Sequence, residues 1–278
     1  WADAIPDAFL ASLYSYLLIR LATSFDPYFK KPFYTFFIAT GVYSVISVVS
    51  FLCLVQFVYA EKYGTAYIYK IAFVCIFRAN FQAANVFGAS GATFGKACIA
   101  IHRYFVMRNR DFQEKKLWNW SGKMIFGILV AQFIFSTVLT APVWPASYAY
   151  QNNVIITLSK DHTLVCVLKA CSFCMYILYI ICNGIFTVLT SRELIRLGRA
   201  REGNSEIRSI MIYQSNMFII VTVCSISHII KALQQFGLAV STYFSMQELY
   251  NVLYPTYPIV NGLATYAAPV CLCSPIVR

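Results

Sequence analysis

Long apolar stretches separated by short polar blocks run through the whole sequence. Of the 278 residues, 59% are hydrophobic and 12% are charged, and the mean hydropathy is +0.64. A soluble domain instead intersperses polar residues along each helix or strand, because one face of the element meets water. A lipid bilayer tolerates long apolar segments when they are helices whose backbone hydrogen bonds are satisfied internally. The pattern therefore predicts an all-α integral membrane protein, with the lipid bilayer as its surroundings.

Seven of these stretches approach the roughly 20 apolar residues that a membrane-spanning helix needs. They are Ile5–Ile19, Phe33–Val58, Ile71–Ala100, Met124–Ala141, Leu164–Thr190, Ile210–Ile230 and Leu249–Leu272. The first is the weakest, because it is short and carries Asp7. We therefore expect residues 1–278 to form one seven-transmembrane-helix domain. We also expect this domain to be a fragment that lacks its N-terminal and C-terminal tails.

Positive charges fall mainly on one side of this predicted bundle. Fifteen of the 22 Lys and Arg residues lie there, and three fall inside helices, namely Arg78, Lys96 and Lys169. The other side holds four, namely Lys62, Lys70, Lys160 and Lys231. Cytoplasmic loops carry the excess of Lys and Arg, so we expect a multi-pass plasma-membrane protein with its N-terminus outside and its C-terminus inside. The glycosylation sequon at Asn119 would then be cytoplasmic and unmodified.

The net charge of +11 does not indicate a nucleic-acid partner. The basic residues sit at the ends of apolar segments and form no continuous basic face with interleaved aromatic residues. The sequence also lacks the glycine-rich phosphate loop, the H-E-x-x-H motif and any Cys/His cluster at zinc spacing. We therefore expect no metal, no cofactor and no enzymatic activity.

The third apolar stretch carries a line of polar residues. Five residues lie within about 20° of one direction when successive residues are placed 100° apart: Arg78, Asn85, Ala92, Lys96 and Arg103. The line spans roughly 37 Å, nearly the whole bilayer with its headgroups. Each ionisable group facing lipid at mid-depth would cost about 2.5–3.5 kcal/mol, so we expect this face to point into the bundle. Alternatively, Arg78 extends to the outer surface and Arg103 only ends the helix.

Three glycines follow the same helix on another face. Gly88, Gly91 and Gly95 lie about 60–120° around from the polar line. Gly91 and Gly95 have the GxxxG spacing that allows membrane helices to approach closely. We predict that a second helix packs against this glycine face.

Two parts of the sequence resemble a known receptor family. The third helix ends in Ala100–Tyr104, which resembles the Asp/Glu-Arg-Tyr element of G-protein-coupled receptors, with His102 in place of the acid. The segments Pro258–Gly262 and Ser274–Arg278 are similar to the last helix of the nematode-type serpentine chemoreceptors, the Srg superfamily, with class V the nearest. The resemblance implies a chemosensory receptor that binds a small molecule in the outer half of the bundle. It also implies a heterotrimeric G protein as the partner of the basic cytoplasmic face.

The resemblance assigns roles in G-protein coupling and switching to four residues: His102, Arg103, Tyr104 and Glu206. Because His102 replaces the usual acid, Arg103 needs another partner, and Glu206 at the inner start of the sixth helix is the candidate. Tyr43 and Asn261 stand where the family commonly has acids, so an acid-dependent switch is not implied.

Candidate ligand contacts are the polar and aromatic residues of the predicted outer half: Arg78, Gln82, Asn85, Tyr176, His228 and Tyr257. Each has an alternative use as an interhelical hydrogen bond. If Arg78 lines the pocket, anionic or strongly hydrogen-bonding ligands are favoured. Cys75 and Cys166 either form an extracellular disulfide of the kind many such receptors use, or remain two buried thiols.

Two other functional classes are alternatives. Gly88–Ala92 resembles the GxSG element of rhomboid intramembrane proteases, with Ser90 as the nucleophile. Against this, no histidine precedes the motif, His228 is not part of an HxxG element, and Ser90 points about 140° away from the polar line. A small-solute transporter predicts internal repeats and intramembrane acids, and the sequence shows neither.

Overall fold

A computed structural model gives the fold of the chain. It describes residues 4–25, 32–62, 72–108, 122–143, 148–151, 154–157, 162–200, 205–253, 256 and 259–264. The α-helices within these residues are α1 (Ala4–Thr23), α2 (Pro32–Lys62), α3 (Ala72–Arg108), α4 (Gly122–Thr140), α5 (His162–Ala200), α6 (Ser205–Tyr243) and α7 (Gln247–Leu253), and residues 259–264 are also helical. Each of the seven apolar stretches therefore overlaps helical structure.

A short β-hairpin lies in the connection between α4 and α5. Ala141–Val143 forms a 3-10 turn after α4, and β1 (Tyr148–Gln151) then pairs antiparallel with β2 (Val154–Thr157). The register places Tyr148 opposite Thr157. These strands are rich in Tyr, Val, Ile and Thr, which favour extended structure. The apolar pattern, which distinguishes only membrane spans from loops, did not predict this hairpin.

Within the described part of the chain, four helical segments are long and apolar enough to cross a membrane. They are Tyr34–Cys53 in α2, Gly122–Val143 in α4 and the 3-10 turn after it, Lys169–Arg196 in α5 and Thr222–Tyr243 in α6. The surface of α4 is suited to a lipid environment. Its buried residues Gln132, Ser136 and Thr140 repeat every four positions and share one face.

The rest of the α4 surface exposes large apolar side chains, including Phe126 at 68% and Val138 at 63% exposure. A helix in a water-soluble protein does the reverse, burying its apolar face and exposing its polar one. The chain is therefore a helical membrane protein.

The glycine face of α3 packs against α2, as predicted. A Cβ atom added at Gly88 would lie 2.5 Å from the backbone nitrogen of Ser47 and 2.6 Å from the carbonyl oxygen of Tyr43. An added Cβ at Gly91 would overlap the ring of Tyr43, and one at Gly95 would overlap Oγ1 of Thr40. The two helix backbones approach this closely only because these positions carry no side chain.

One boundary prediction is wrong. The sixth stretch was expected to end at Ile230, with Lys231 in an outer loop, but α6 continues to Tyr243 and its candidate span is Thr222–Tyr243. Lys231 is only 1% exposed and lies inside the helix. The reason is periodicity: Lys231 lies on a buried face of α6, while Leu233 faces outward, so the lysine interrupts the apolar run without ending the helix. The outer side of the predicted topology therefore loses one of its four positive charges.

Candidate functional site

A cavity that is open to the surface lies between α3, α4, α5 and α6. It encloses about 560 Å³ of empty space when the solvent in its opening is included. Its polar lining includes Asn85 on α3, Tyr176 on α5 and Gln235 on α6. Its apolar lining includes Leu139 near the end of α4 and Val143 in the 3-10 turn after it. The cavity is therefore a mostly apolar space with a few polar residues in its lining.

These lining residues define one end of the bundle. Asn85 and Tyr176 lie in the first halves of α3 and α5, whereas Leu139 and Gln235 lie towards the ends of α4 and α6. Arg103 lies eighteen residues after Asn85 on α3, which places it roughly 27 Å away along the helix axis. The cavity and the Arg103 region therefore occupy opposite ends of the bundle.

Asn85 is 3% exposed and is oriented by α2. The hydroxyl of Ser47 donates to its side-chain oxygen Oδ1 at 2.7 Å. The side-chain nitrogen Nδ2 makes no hydrogen bond with any residue that the structure describes, although Asn85 lines the cavity. Asn85 therefore makes the interhelical hydrogen bond that the sequence suggested as an alternative to ligand contact. Its Nδ2 amide group is still available as a donor.

A basic cluster lies in the bundle interior and consists of Lys96, His228 and Lys231. Nδ1 of His228 lies 2.6 Å from the carbonyl oxygen of Cys224, which can only accept, so Nδ1 donates the hydrogen of this bond. Nζ of Lys96 lies 3.4 Å from Nε2 of the same ring and donates to the carbonyl oxygen of Ala264 at 2.8 Å. Lys96 therefore connects α3 to α6 and to the last helical segment.

Two tyrosines of α5 pack against His228 of the basic cluster. The ring of Tyr179 lies 4.5 Å from the ring of His228, and that of Tyr176 lies 6.1 Å from it, between centroids. Because Tyr176 also lines the cavity, it links the cavity wall to the basic cluster. His228 itself does not line the cavity, and neither does the half-buried Gln82.

The residues of the Ala100–Tyr104 string point to different helices. His102 is buried with its ring 6.2 Å from the ring of Phe36 on α2. Tyr104 packs against Phe186 of α5 at 5.7 Å between ring centroids, and its hydroxyl accepts a hydrogen bond from Nη1 of Arg108 at 2.9 Å. α3 runs on to Arg108, so Arg103 does not end the helix.

Arg103 itself faces α5. It lines a small cleft with Ala100 of its own helix and with Phe186, Thr190 and Leu194 of α5. The predicted polar line thus faces the bundle interior at Asn85, Ala92 and Lys96 and meets α5 at Arg103.

Several candidate residues lie outside what the structure describes. Tyr257 belongs to an undescribed segment, and the side chains of Arg78, Glu206, Cys75 and Cys166 are outside the described residues as well. The Arg103–Glu206 pair and the disulfide alternative therefore stay predictions.

Ser90 lines the cavity, but its hydroxyl hydrogen-bonds to backbone carbonyls of its own helix. Its hydroxyl contacts the carbonyl oxygens of Val86 at 2.8 Å and Phe87 at 3.1 Å. None of the hydrogen bonds that Ser90 makes involves a histidine. The arrangement that a serine nucleophile needs, a hydroxyl bonded to a general base, is not formed by these residues.

Sequence reasoning missed Gln235 and Lys231. Both share a face of α6 with His228, at spacings of seven and three residues. The helical period counted from His228 would have found them if the sixth span had been extended past Lys231.

Comparisons with known proteins add no assignment. No protein-family model matches the chain, and no curated protein matches its sequence.

Proposed function

We propose that this protein is a seven-transmembrane chemosensory G-protein-coupled receptor of the plasma membrane. Its N-terminus is outside and its C-terminus is inside. It binds a small molecule in the cavity between α3, α4, α5 and α6, and it activates a heterotrimeric G protein at its basic cytoplasmic face. The observation that carries the proposal is the cavity lined by Asn85 and Tyr176, at the end of the bundle opposite Arg103.

The route between the two ends runs through α3 and α5. α3 carries Asn85 at the cavity and Arg103 at the other end, and α5 carries Tyr176 at the cavity and Phe186 against Tyr104. A ligand shifts a conformational equilibrium only if it binds one state better than the other. If α3 and α5 move relative to each other between the two states, a ligand held between them binds one state better than the other. Such a movement also opens or closes the Arg103 cleft.

The direct test is ligand-dependent nucleotide exchange. Full-length protein in lipid vesicles is combined with purified heterotrimeric G proteins of each class and a panel of neutral and charged small molecules. We expect at least one compound to raise the rate of GTP-analogue binding in a saturable manner. Compounds that bind the protein but accelerate exchange on no G protein would contradict the receptor proposal.

The orientation has a separate test at the sequon. We expect Asn119 to remain unglycosylated in eukaryotic cells, because the proposed topology places it in the cytoplasm. A matched control carries a new sequon on an extension before Trp1, which we expect to be glycosylated. The measurement is the mobility shift on endoglycosidase treatment. Glycosylation at Asn119 would reverse the orientation.

A proton-coupled transporter is the second candidate, favoured by the basic cluster. Lys96, His228 and Lys231 place titratable groups inside a membrane bundle, where such groups commonly mark ion or proton pathways. Proton-driven accumulation of a cavity ligand inside sealed vesicles would support the transporter. Saturable binding without accumulation favours the receptor.

A further inference from the structure

We infer that the cavity selects an uncharged, largely apolar small molecule that presents a carbonyl-type hydrogen-bond acceptor to Asn85 and Gln235. The inference rests on the proposed receptor function and narrows its ligand class. It comes from two polar residues that line the same cavity, one on α3 and one on α6.

Both side chains are more than nine-tenths buried. Asn85 is 3% exposed and Gln235 is 7% exposed. Nδ2 of Asn85 and both amide atoms of Gln235 form no hydrogen bond with residues that the structure describes. None of these atoms is among the fully buried polar atoms that lack a partner in the described residues, so they are reachable from the cavity that both residues line. A ligand acceptor there can pair with them in place of water.

The bond from Ser47 decides which partner Asn85 can take. Because Ser47 already donates to Oδ1, Asn85 offers the cavity the N–H donors of Nδ2. The complementary ligand group is therefore an acceptor. Gln235, which has both a donor and an acceptor free, can satisfy the same acceptor or a second polar group.

The electrostatics of the wall favour a neutral ligand. The cavity lining contains no charged side chain among the described residues, so a ligand carboxylate would lose its hydration without gaining a direct ionic partner. Lys231 lies one helical turn before Gln235 and is buried on the same face.

The remaining walls accept an apolar body. Val86 and Ala89 on α3, Leu139 on α4 and Met175 on α5 line the cavity around the amides. Burial of apolar ligand surface against such side chains supplies most of the binding free energy in small-molecule pockets, and the polar groups orient the ligand.

Three probes of similar size separate the contributions of the hydrogen bond, the ligand charge and the apolar contacts. Acetophenone has a carbonyl, ethylbenzene has the same shape without one, and benzoate carries a charge. Binding to the full-length protein in lipid nanodiscs is measured by ligand-observed NMR. We expect saturable binding of acetophenone and about fivefold weaker binding of ethylbenzene and benzoate, the size of effect expected for one lost hydrogen bond.

Two near-isosteric variants test the residues themselves. We expect Asn85→Leu and Gln235→Met each to weaken acetophenone binding about fivefold and to leave ethylbenzene binding unchanged. Retained ethylbenzene binding also shows that each variant is folded. Thr137→Val is the matched control, since Thr137 is exposed on α4, bonds to Phe133 of its own helix and does not line the cavity, and we expect it to bind acetophenone like the wild type.

The inference and the receptor proposal fail in different ways. Equal affinity for the three probes, a preference for benzoate, absence of saturable acetophenone binding, or variants that bind like the wild type would each overturn the inference. None of these results bears on G-protein activation. Conversely, amide-dependent acetophenone binding without nucleotide exchange would support the inference and count against the receptor.

Discussion

Replacing Gly88 with leucine is expected to remove most of the folded protein from the membrane fraction. The new Cβ alone would lie 2.5 Å from the backbone nitrogen of Ser47 and 2.6 Å from the carbonyl oxygen of Tyr43. Both are backbone atoms of α2, so no side-chain rotation relieves the clash. Overpacking of a protein interior commonly costs about 1–3 kcal/mol, and we expect the upper end or more here because two helices must separate.

Gly127 and Gly184 provide matched controls for this substitution. Both are exposed helical glycines with no atom within 4 Å of an added Cβ. Leucine at either position should be neutral or slightly stabilising, because glycine costs about 1 kcal/mol in a helix relative to a good helix former. The measurement is the monodisperse fraction and the melting temperature by fluorescence-detected size-exclusion chromatography. A Gly88→Leu protein that behaves like the controls would disprove the α2–α3 packing.

The features that the sequence predicted well are local and periodic. Each apolar stretch overlaps a helix, because apolar length alone selects helices in a bilayer. The glycine face of α3 was also predictable, since three small residues at helical spacing have few other uses in a membrane helix. The inward direction of Asn85 and Lys96 followed from helical phase. None of these inferences required knowledge of which helices are neighbours in space.

The features that the sequence did not predict depend on tertiary partners. Lys231 ended the predicted sixth span because a lysine facing lipid is costly, whereas in the fold it faces the interior beside His228. Gln235 lay beyond that false boundary and was lost with it. The separation of His102 towards α2 from Tyr104 towards α5 depends on helix packing, which one sequence does not reveal. The hairpin of β1 and β2 lies outside the apolar pattern altogether.

Replacing Arg103 with alanine is expected to lower ligand-stimulated nucleotide exchange by about tenfold or more, within the range of allosteric coupling between distant sites. Arg103 lies in the cleft between α3 and α5, with Phe186, Thr190 and Leu194 on the far wall. In the proposed mechanism this cleft changes shape when a ligand occupies the opposite end of the same two helices. Truncating the arginine removes the polar group that distinguishes the two states there. Ligand binding in the distant cavity should be retained.

The matched control is Arg192→Ala on α5. Arg192 lies at the same end of the bundle but is exposed, so its loss changes the surface charge without changing the cleft. Exchange measured at several G-protein concentrations separates the two possible roles of Arg103. If arginine only attracts the G protein through charge, both variants lose activity equally, and high G-protein concentration restores it. If Arg103 sets the conformational equilibrium, the Arg103→Ala defect persists at saturating G protein while Arg192→Ala matches the wild type. An Arg103→Ala protein that exchanges nucleotide at the wild-type rate would remove Arg103 from the mechanism.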